Sequence, residues 1–193
     1  MLIFWDARIV LLAVPKTGST ALEAALASRA DAAIVNPPGL KHCGVRKYDR
    51  ELRPFFERGG QRPMEKMAVI REPVDWLGSW FRYRSRPALR GHANSTAGMQ
   101  FTHFVEAYLS PEPPAFARVG SQAVMLAGGV EHLFRHDDLI AATAFLAERL
   151  GSEVTLPHAN VSPPGDVSLP ADLEARLRIE RAEDFALWER AAP

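Results

Sequence analysis

The segment Ile9-Val10-Leu11-Leu12-Ala13-Val14-Pro15-Lys16-Thr17-Gly18-Ser19-Thr20, residues 9–20, decides the fold class of this chain. Residues 9–14 form a continuous apolar and partly β-branched run, which is typical of a parallel strand buried on both faces. A turn is expected at residues 15–20, and residues 21–30 are rich in Ala, Leu and Glu, which favour a helix. The segment therefore predicts a strand, a tight loop and a helix.

A second unit of the same kind is predicted farther along the chain. Residues 67–70 are a short apolar run that ends at Arg71-Glu72-Pro73. Pro73 suits the first turn of a helix, where its missing N–H is not needed. The helix that follows has one apolar face, formed by Trp76, Leu77, Trp80 and Phe81.

The rest of the chain continues the alternation of strands and helices. We expect strands at 32–35 and 130–134, loops at 84–98 and 154–164, and helices at 48–58, 101–109, 121–127 and 170–190, with a further helix that is capped by Asp137 or Asp138 and runs to Leu150. This order predicts an α/β fold with a mainly parallel central sheet. No linker-like segment divides the 193 residues, so a single domain, 1–193, is expected.

The composition excludes several classes of protein. Of the residues, 47% are hydrophobic and 24% charged, and acidic and basic side chains balance at 23 each, so no global field favours nucleic acid or a membrane surface. The single cysteine, Cys43, excludes an intrachain disulfide. Asp6 and Arg8 interrupt the apolar residues near the N-terminus, leaving runs too short to span a bilayer. We therefore expect a soluble, cytoplasmic protein.

The loop at residues 15–20 has the composition of an anion site. Gly18 allows close approach of the backbone, Ser19 and Thr20 add hydroxyl donors, and Lys16 adds one of only four lysine charges in the chain. The loop is not a Walker A motif, which requires a Gly-Lys pair that this sequence lacks. The alternative interpretation is an ordinary turn that caps a helix.

Arg71 and Ser79 form the second candidate site. An arginine at the end of a strand can bind a phosphate through two hydrogen bonds, and a serine eight residues later in the following helix can complete the contact. The alternative is a solvated arginine next to a helical serine.

Taken together, the two segments resemble the family of sulfotransferases that use 3′-phosphoadenosine 5′-phosphosulfate (PAPS). Residues 15–20 are similar to the family's 5′-phosphosulfate loop, and Arg71-Glu72-Pro73 with Ser79 are similar to its 3′-phosphate motif. Weaker similarities lie at residues 134–139 and at Gln122, and in the segment Asn160-Val161-Ser162. The Gly-rich third segment of the small-molecule enzymes is absent, which points to the bacterial and carbohydrate-modifying branches.

The resemblance implies a three-layer α/β/α fold like that of P-loop NTPases, and transfer of a sulfuryl group to a hydroxyl or amine. PAPS would be the donor, adenosine 3′,5′-bisphosphate the product, and no metal would be needed. The acceptor, a small molecule or a carbohydrate, is not identified. The donor-binding residues would be Pro15, Lys16, Thr17, Gly18, Ser19, Thr20, Arg71 and Ser79.

Two residues are candidates for catalysis, Lys16 and His42. Lys16 would balance the charge that grows on the leaving oxygen. His42, in Lys41-His42, would act as the general base, since an imidazole titrates near neutral pH. Its alternative interpretation is a histidine in a surface loop, and His103 is a second choice for the base.

The sequence supports several other interpretations less well. A metal site at His132 and His136 lacks an evident third ligand, and Cys43 next to His42 does not by itself make a nucleophilic pair. Trp76 and Trp80 fit a core better than a stacking site. The alternative functions are a P-loop-like kinase and a non-catalytic nucleotide-binding module of the same fold.

Overall fold

The computed structural model describes residues 1–58, 62–157 and 167–191. Within these residues the chain forms two compact units. The sheet unit takes residues 1–71, 122–157 and 190–191, and the helical unit takes residues 72–121 and 167–189. Among the described residues, no helix has both the length and the apolar character needed to cross a bilayer.

The sheet unit holds a five-stranded mixed sheet. Its strands are β1 (Leu2–Phe4), β2 (Ile9–Leu12), β3 (Ala32–Ala33), β4 (Glu65–Ile70) and β5 (His132–Arg135), in the order β3-β1-β2-β4-β5. β2, β4 and β5 are parallel, with Leu12 opposite Ala68 and Ile70 opposite Arg135. All three parallel strands therefore end at the same edge of the sheet.

The expectation of a mainly parallel sheet is correct for only half of the strand pairings. β1 runs antiparallel to both β2 and β3. The reason is the short connection between β1 and β2, in which the N–H of Arg8 donates to the carbonyl of Trp5 at 3.1 Å and Arg8 adopts φ 54°. A turn this short can join only antiparallel neighbours, because a parallel pair requires a long crossover.

The sheet unit also contains helices. They are α1 (Ser19–Leu26, extended by a 3₁₀ turn at Ala27–Arg29), α2 (Pro38–Lys41), α3 (Val45–Lys47), α4 (Arg53–Phe56), α7 (Gln122–Met125) and α8 (Leu139–Leu150). The helix expected at 48–58 begins as a π turn at Tyr48–Leu52 and becomes α-helical only at Arg53. Pro54 has no N–H to donate to the preceding turn, which explains this interruption.

One hydrophobic core lies between the sheet and the helices α1 and α8. Its buried side chains include Ile9 and Leu11 of β2, Met67 and Val69 of β4, and Leu26 of α1. These alternate residues of β2 and β4 share one face of the sheet, as the period of two in a strand requires. The core thus holds β2 and β4 in place and thereby positions the loops that follow these two strands.

The helical unit contains α5 (Pro73–Arg84), α6 (Phe101–Leu109), α9 (Ala171–Glu180) and, except for its last residue, α10 (Ala182–Arg190). Trp76 is 3% exposed and lies in its hydrophobic core, as expected. The expectation of a single helix at 170–190 is wrong. Arg181 has a non-helical backbone, with φ −125°, and separates the segment into α9 and α10. The loop expected at 84–98 contains only a short 3₁₀ turn, Pro87–Leu89.

Candidate functional site

The loop at residues 15–20 connects the end of β2 to the start of α1, as the sequence predicted. Its backbone is left-handed at two positions, Lys16 with φ 68° and Gly18 with φ 79°. The carbonyl of Gly18 accepts hydrogen bonds from the N–H groups of Ala21 and Leu22, at 2.9 and 3.1 Å, which starts the helix. The two N–H groups before these, of Ser19 and Thr20, have no acceptor within the helix, and a helix start of this kind can bind anions.

The Lys16 backbone is the less ordinary of the two, because a left-handed conformation costs a residue with a side chain about 1–2 kcal/mol. Such a conformation persists only where surrounding contacts fix it, and conformations of this kind cluster at functional sites. One of those contacts is the hydrogen bond that the Thr17 hydroxyl donates to the carbonyl of Val14, at 2.9 Å. Thr17 is 1% exposed, so its hydroxyl stabilises the loop from within and does not face solvent.

Ser19 and Thr20 open α1, and the structure places them differently. Ser19 is partly buried, whereas Thr20 is exposed. Ser19 also borders a cavity of about 10 Å³, together with Thr17, Glu23 and apolar residues of β1 and β2. A cavity of this size holds about one water molecule and is too small for a nucleotide.

Gly18 lies close to the connection between β5 and α8. A Cβ atom added at Gly18 would lie 3.3 Å from Cδ1 of Leu139 and 3.6 Å from Cδ2 of His136. The absence of a side chain therefore serves both the left-handed backbone and the close packing of the loop. The sequence offered His136 only as part of a weak family similarity and as half of a rejected metal site, and it gave no sign of this proximity.

Arg71 follows directly after β4, the parallel neighbour of β2, so it lies at the same edge of the sheet as the loop. Its Nη1 donates to the carbonyl oxygen of Lys16 at 3.4 Å. The structure thus brings together Arg71 and Lys16, two residues that are 55 positions apart in the chain. This juxtaposition of the two sequence motifs is the central observation at the site.

The backbone of Arg71 is held by Gln122, the first residue of α7. The Gln122 Oε1 accepts the N–H of Arg71 at 3.0 Å, and its Nε2 donates to the carbonyl of Arg71 at 2.8 Å. Gln122 is 1% exposed. The sequence marked Gln122 only by resemblance, and no spacing pattern identified its role.

Ser79, the second residue of the predicted 3′-phosphate contact, lies in α5 of the helical unit. It is 2% exposed. Its pairing with Arg71 stays a prediction.

His42, the candidate base, follows α2 and lies at the end of β2. Its Nδ1 is 2.6 Å from the carbonyl oxygen of Ala13, two residues before the loop begins. Because a carbonyl can only accept, Nδ1 carries the hydrogen, and Nε2 then holds the lone pair that a base requires. Burial lowers the pKa of His42, and the nearby positive charge of Lys41 lowers it further, against the opposing effect of the hydrogen bond to Ala13. The imidazole is therefore neutral at pH 7.

Lys41 is tied to α1 by an ion pair. Its Nζ lies 2.6 Å from Oε2 of Glu23, and both side chains are largely buried. This contact joins the segment that carries His42 to the helix that follows the loop. Sequence reasoning had no signal for it, since neither residue belongs to a pattern.

Cys43 and the histidines near β5 take other roles. Burial raises the pKa of the Cys43 thiol, which keeps it protonated and unreactive. His132 contacts a carboxylate oxygen of Glu65 at 2.8 Å. Within the described ranges, no group of three or more His, Cys, Asp or Glu side chains is arranged to hold a metal ion.

The chain was compared with protein-family models, curated proteins and solved structures, and it matches none of them. The resemblance to PAPS-dependent sulfotransferases thus stays a prediction from the two motifs. Of its weaker similarities, the segment Asn160-Val161-Ser162 lies outside the described residues.

Proposed function

We propose that this chain is a sulfotransferase that moves a sulfuryl group from PAPS to a hydroxyl or amine of a small-molecule or carbohydrate acceptor. The proposal includes a three-layer α/β/α fold of the P-loop NTPase type. The observation that carries it is the contact between the Arg71 guanidinium and the Lys16 carbonyl. That contact joins the two phosphate motifs at the ends of adjacent parallel strands, where ligands bind in open α/β sheets.

In this proposal the loop binds the 5′-phosphosulfate. The N–H groups of the loop and of Ser19 and Thr20 would donate to the anion, and the hydroxyls of Ser19 and Thr20 would supplement them. Thr17 contributes its backbone N–H, since its hydroxyl donates to Val14. The Lys16 ammonium supplies the local positive charge that a chain without net charge needs at an anion site.

The Arg71 guanidinium would bind the 3′-phosphate. A guanidinium can donate two parallel hydrogen bonds to a phosphate, which makes Arg71 the residue that distinguishes PAPS from ATP. ATP carries no 3′-phosphate, so it would leave this guanidinium without its anionic partner. A preference for 3′-phosphorylated nucleotides is therefore the signature of the proposed site.

The chemical step is an in-line displacement at sulfur. The acceptor oxygen or nitrogen attacks, Nε2 of His42 takes its proton, and the bond from sulfur to the bridging oxygen breaks. Lys16 stabilises the negative charge that develops on that oxygen as adenosine 3′,5′-bisphosphate leaves. His42 and the loop are both fixed to the end of β2, through Ala13, which supports this division of roles.

The experiment is calorimetric titration of adenosine 3′,5′-bisphosphate into the wild type, Lys16→Ala and Arg71→Ala, with ATP as competitor. We expect each substitution to weaken binding by about tenfold or more, the loss associated with one charge-assisted contact. ATP should compete poorly. Lys47→Ala and the exposed Arg90→Ala are matched controls that should bind like the wild type.

Each alternative function has its own outcome in the same experiment. A preference for ATP with Mg²⁺ would contradict the sulfotransferase and favour a kinase. Bisphosphate binding that depends on Lys16 and Arg71 would justify an acceptor screen with PAPS. A non-catalytic module would bind the bisphosphate in this way and transfer sulfate to no acceptor.

A further inference from the structure

We infer that Gln122 is a positioning residue for Arg71 and that it thereby sets the preference for a 3′-phosphate. This inference rests on the proposed function. It assigns a specific part of nucleotide recognition to a buried amide outside both phosphate motifs.

The side-chain amide of Gln122 pairs with the backbone of Arg71 as the backbone of a neighbouring strand would. The register between β4 and β5 ends at Ile70 opposite Arg135, so Arg71 lies one residue beyond the paired strands. At this position Gln122 replaces the missing strand partner: its Oε1 accepts from the N–H of Arg71 at 3.0 Å and its Nε2 donates to the carbonyl of Arg71 at 2.8 Å. One side-chain amide thus satisfies both backbone groups of Arg71.

This arrangement depends on the chemistry of the amide. The side chain of Asn or Gln carries a donor and an acceptor on one planar amide, the same pair of groups that a peptide unit offers, and Gln is the longer of the two. Because Gln122 is 1% exposed, water cannot replace either hydrogen bond if the amide is removed. The backbone of Arg71 would then lose both contacts at the point where the strand ends.

Loss of these two backbone hydrogen bonds would also affect the guanidinium of Arg71. A strand end without paired backbone groups opens locally more often than a paired strand. The direction of the Arg71 side chain, which reaches Lys16 at 3.4 Å, follows from its backbone. Loss of the Gln122 amide should therefore disturb the contact with the 3′-phosphate while leaving the loop at residues 15–20 able to bind a 5′-phosphate.

The test compares two ligands that differ by one phosphate, adenosine 3′,5′-bisphosphate and adenosine 5′-monophosphate. Calorimetry gives the ratio of their affinities for the wild type, for Gln122→Leu and for Gln100→Leu, the last being a control at an exposed glutamine. We expect Gln122→Leu to lower this ratio by about tenfold, as loss of two buried hydrogen bonds implies, with monophosphate binding nearly unchanged. Gln100→Leu should keep the wild-type ratio.

A second variant, Gln122→Glu, gives a readout that a merely structural role would not produce. A protonated carboxyl can accept from the N–H of Arg71 and donate to its carbonyl, whereas a carboxylate cannot donate. Burial raises the pKa of a carboxyl, so the neutral form becomes accessible in mildly acidic solution. The affinity ratio of Gln122→Glu, divided by that of the wild type, should therefore rise as the pH falls from about 8 to about 5.5.

The outcomes separate the inference from the proposed function. If the wild type shows no preference for the bisphosphate, the proposed function fails and the inference falls with it. If the wild type shows the preference and Gln122→Leu keeps it, only the inference is overturned. An equal loss of both ligands, or a ratio for Gln122→Glu that does not change with pH, also overturns it, since Gln122 would then act on the fold alone.

Discussion

The half-buried imidazole of His42 shows how the surroundings of a single residue set its tautomer and its protonation state. The sequence left it equally interpretable as a base or as a histidine in a surface loop. In the structure its Nδ1 contacts the carbonyl of Ala13 at the end of β2, and burial lowers its pKa. A neutral imidazole with a fixed tautomer is the form that a general base requires.

We predict that His42 titrates below its ordinary pKa of 6.5. Burial disfavours the charged form, so the proton is lost at a lower pH than in a solvated histidine. NMR titration of the imidazole resonances measures this directly, with His42→Gln to assign the signal. A midpoint at or above 6.5 would show that the imidazole is solvated and would weaken its assignment as the base.

At the scale of elements, the start of α8 depends on one of two adjacent aspartates. The sequence named Asp137 or Asp138 as the cap, and the structure selects Asp138, whose Oδ1 accepts the N–H of Ala141 at 3.1 Å. Asp137 is exposed in the preceding 3₁₀ turn. This helix covers the core of the sheet unit and begins at Leu139, next to Gly18 of the loop.

We predict that Asp138→Ala lowers the free energy of unfolding by about 1 kcal/mol, the usual loss for an N-cap. Asp137→Ala is the matched control and should change it by less than about 0.5 kcal/mol, as surface substitutions do. Urea unfolding followed by circular dichroism measures both. Equal effects of the two substitutions would mean that charge near the helix start, and not the capping hydrogen bond, is what matters.

At the scale of the whole molecule, a polar cluster in the sheet unit connects elements far apart in the sequence. Glu65 of β4 accepts from Nη1 of Arg149 in α8 at 2.7 Å and contacts His132 of β5 at 2.8 Å. The hydrogen bond from Arg149 and then that from His132 lower the pKa of Glu65 to about 2. The carboxylate is therefore more stable in the folded protein than in the unfolded chain.

We predict that this cluster contributes to stability above pH 4.5, the ordinary value for Glu65, and that the contribution is lost as the pH falls toward about 2. Since about a third of the side chain is exposed, solvent screening limits the contribution to about 1 kcal/mol. Urea unfolding between pH 7 and pH 2.5 should show a weaker acid dependence for Glu65→Gln than for the wild type. Glu112→Gln, at an exposed position, should keep the wild-type dependence.

The sequence by itself determined the local elements and the candidate loop. A continuous apolar run, a Gly-containing turn and an Ala-rich segment are short-range signals, so β2, the loop and α1 could be predicted, as could α6 at Phe101–Leu109. The apolar face of α5 likewise identified Trp76 as a core residue. These features depend on residues a few positions apart, whose preferences are expressed wherever the segment lies.

Only the tertiary structure decided which residues meet. The antiparallel placement of β1, the contact of Arg71 with Lys16 and the pairing of Glu23 with Lys41 carry no signature in residue spacing. Gln122 is 51 positions from the backbone that it holds, and no local preference specifies such a contact. Such long-range hydrogen bonds depend on where the core places the strand ends and not on local residue preferences, which is why the sequence indicated the two motifs and the structure joined them.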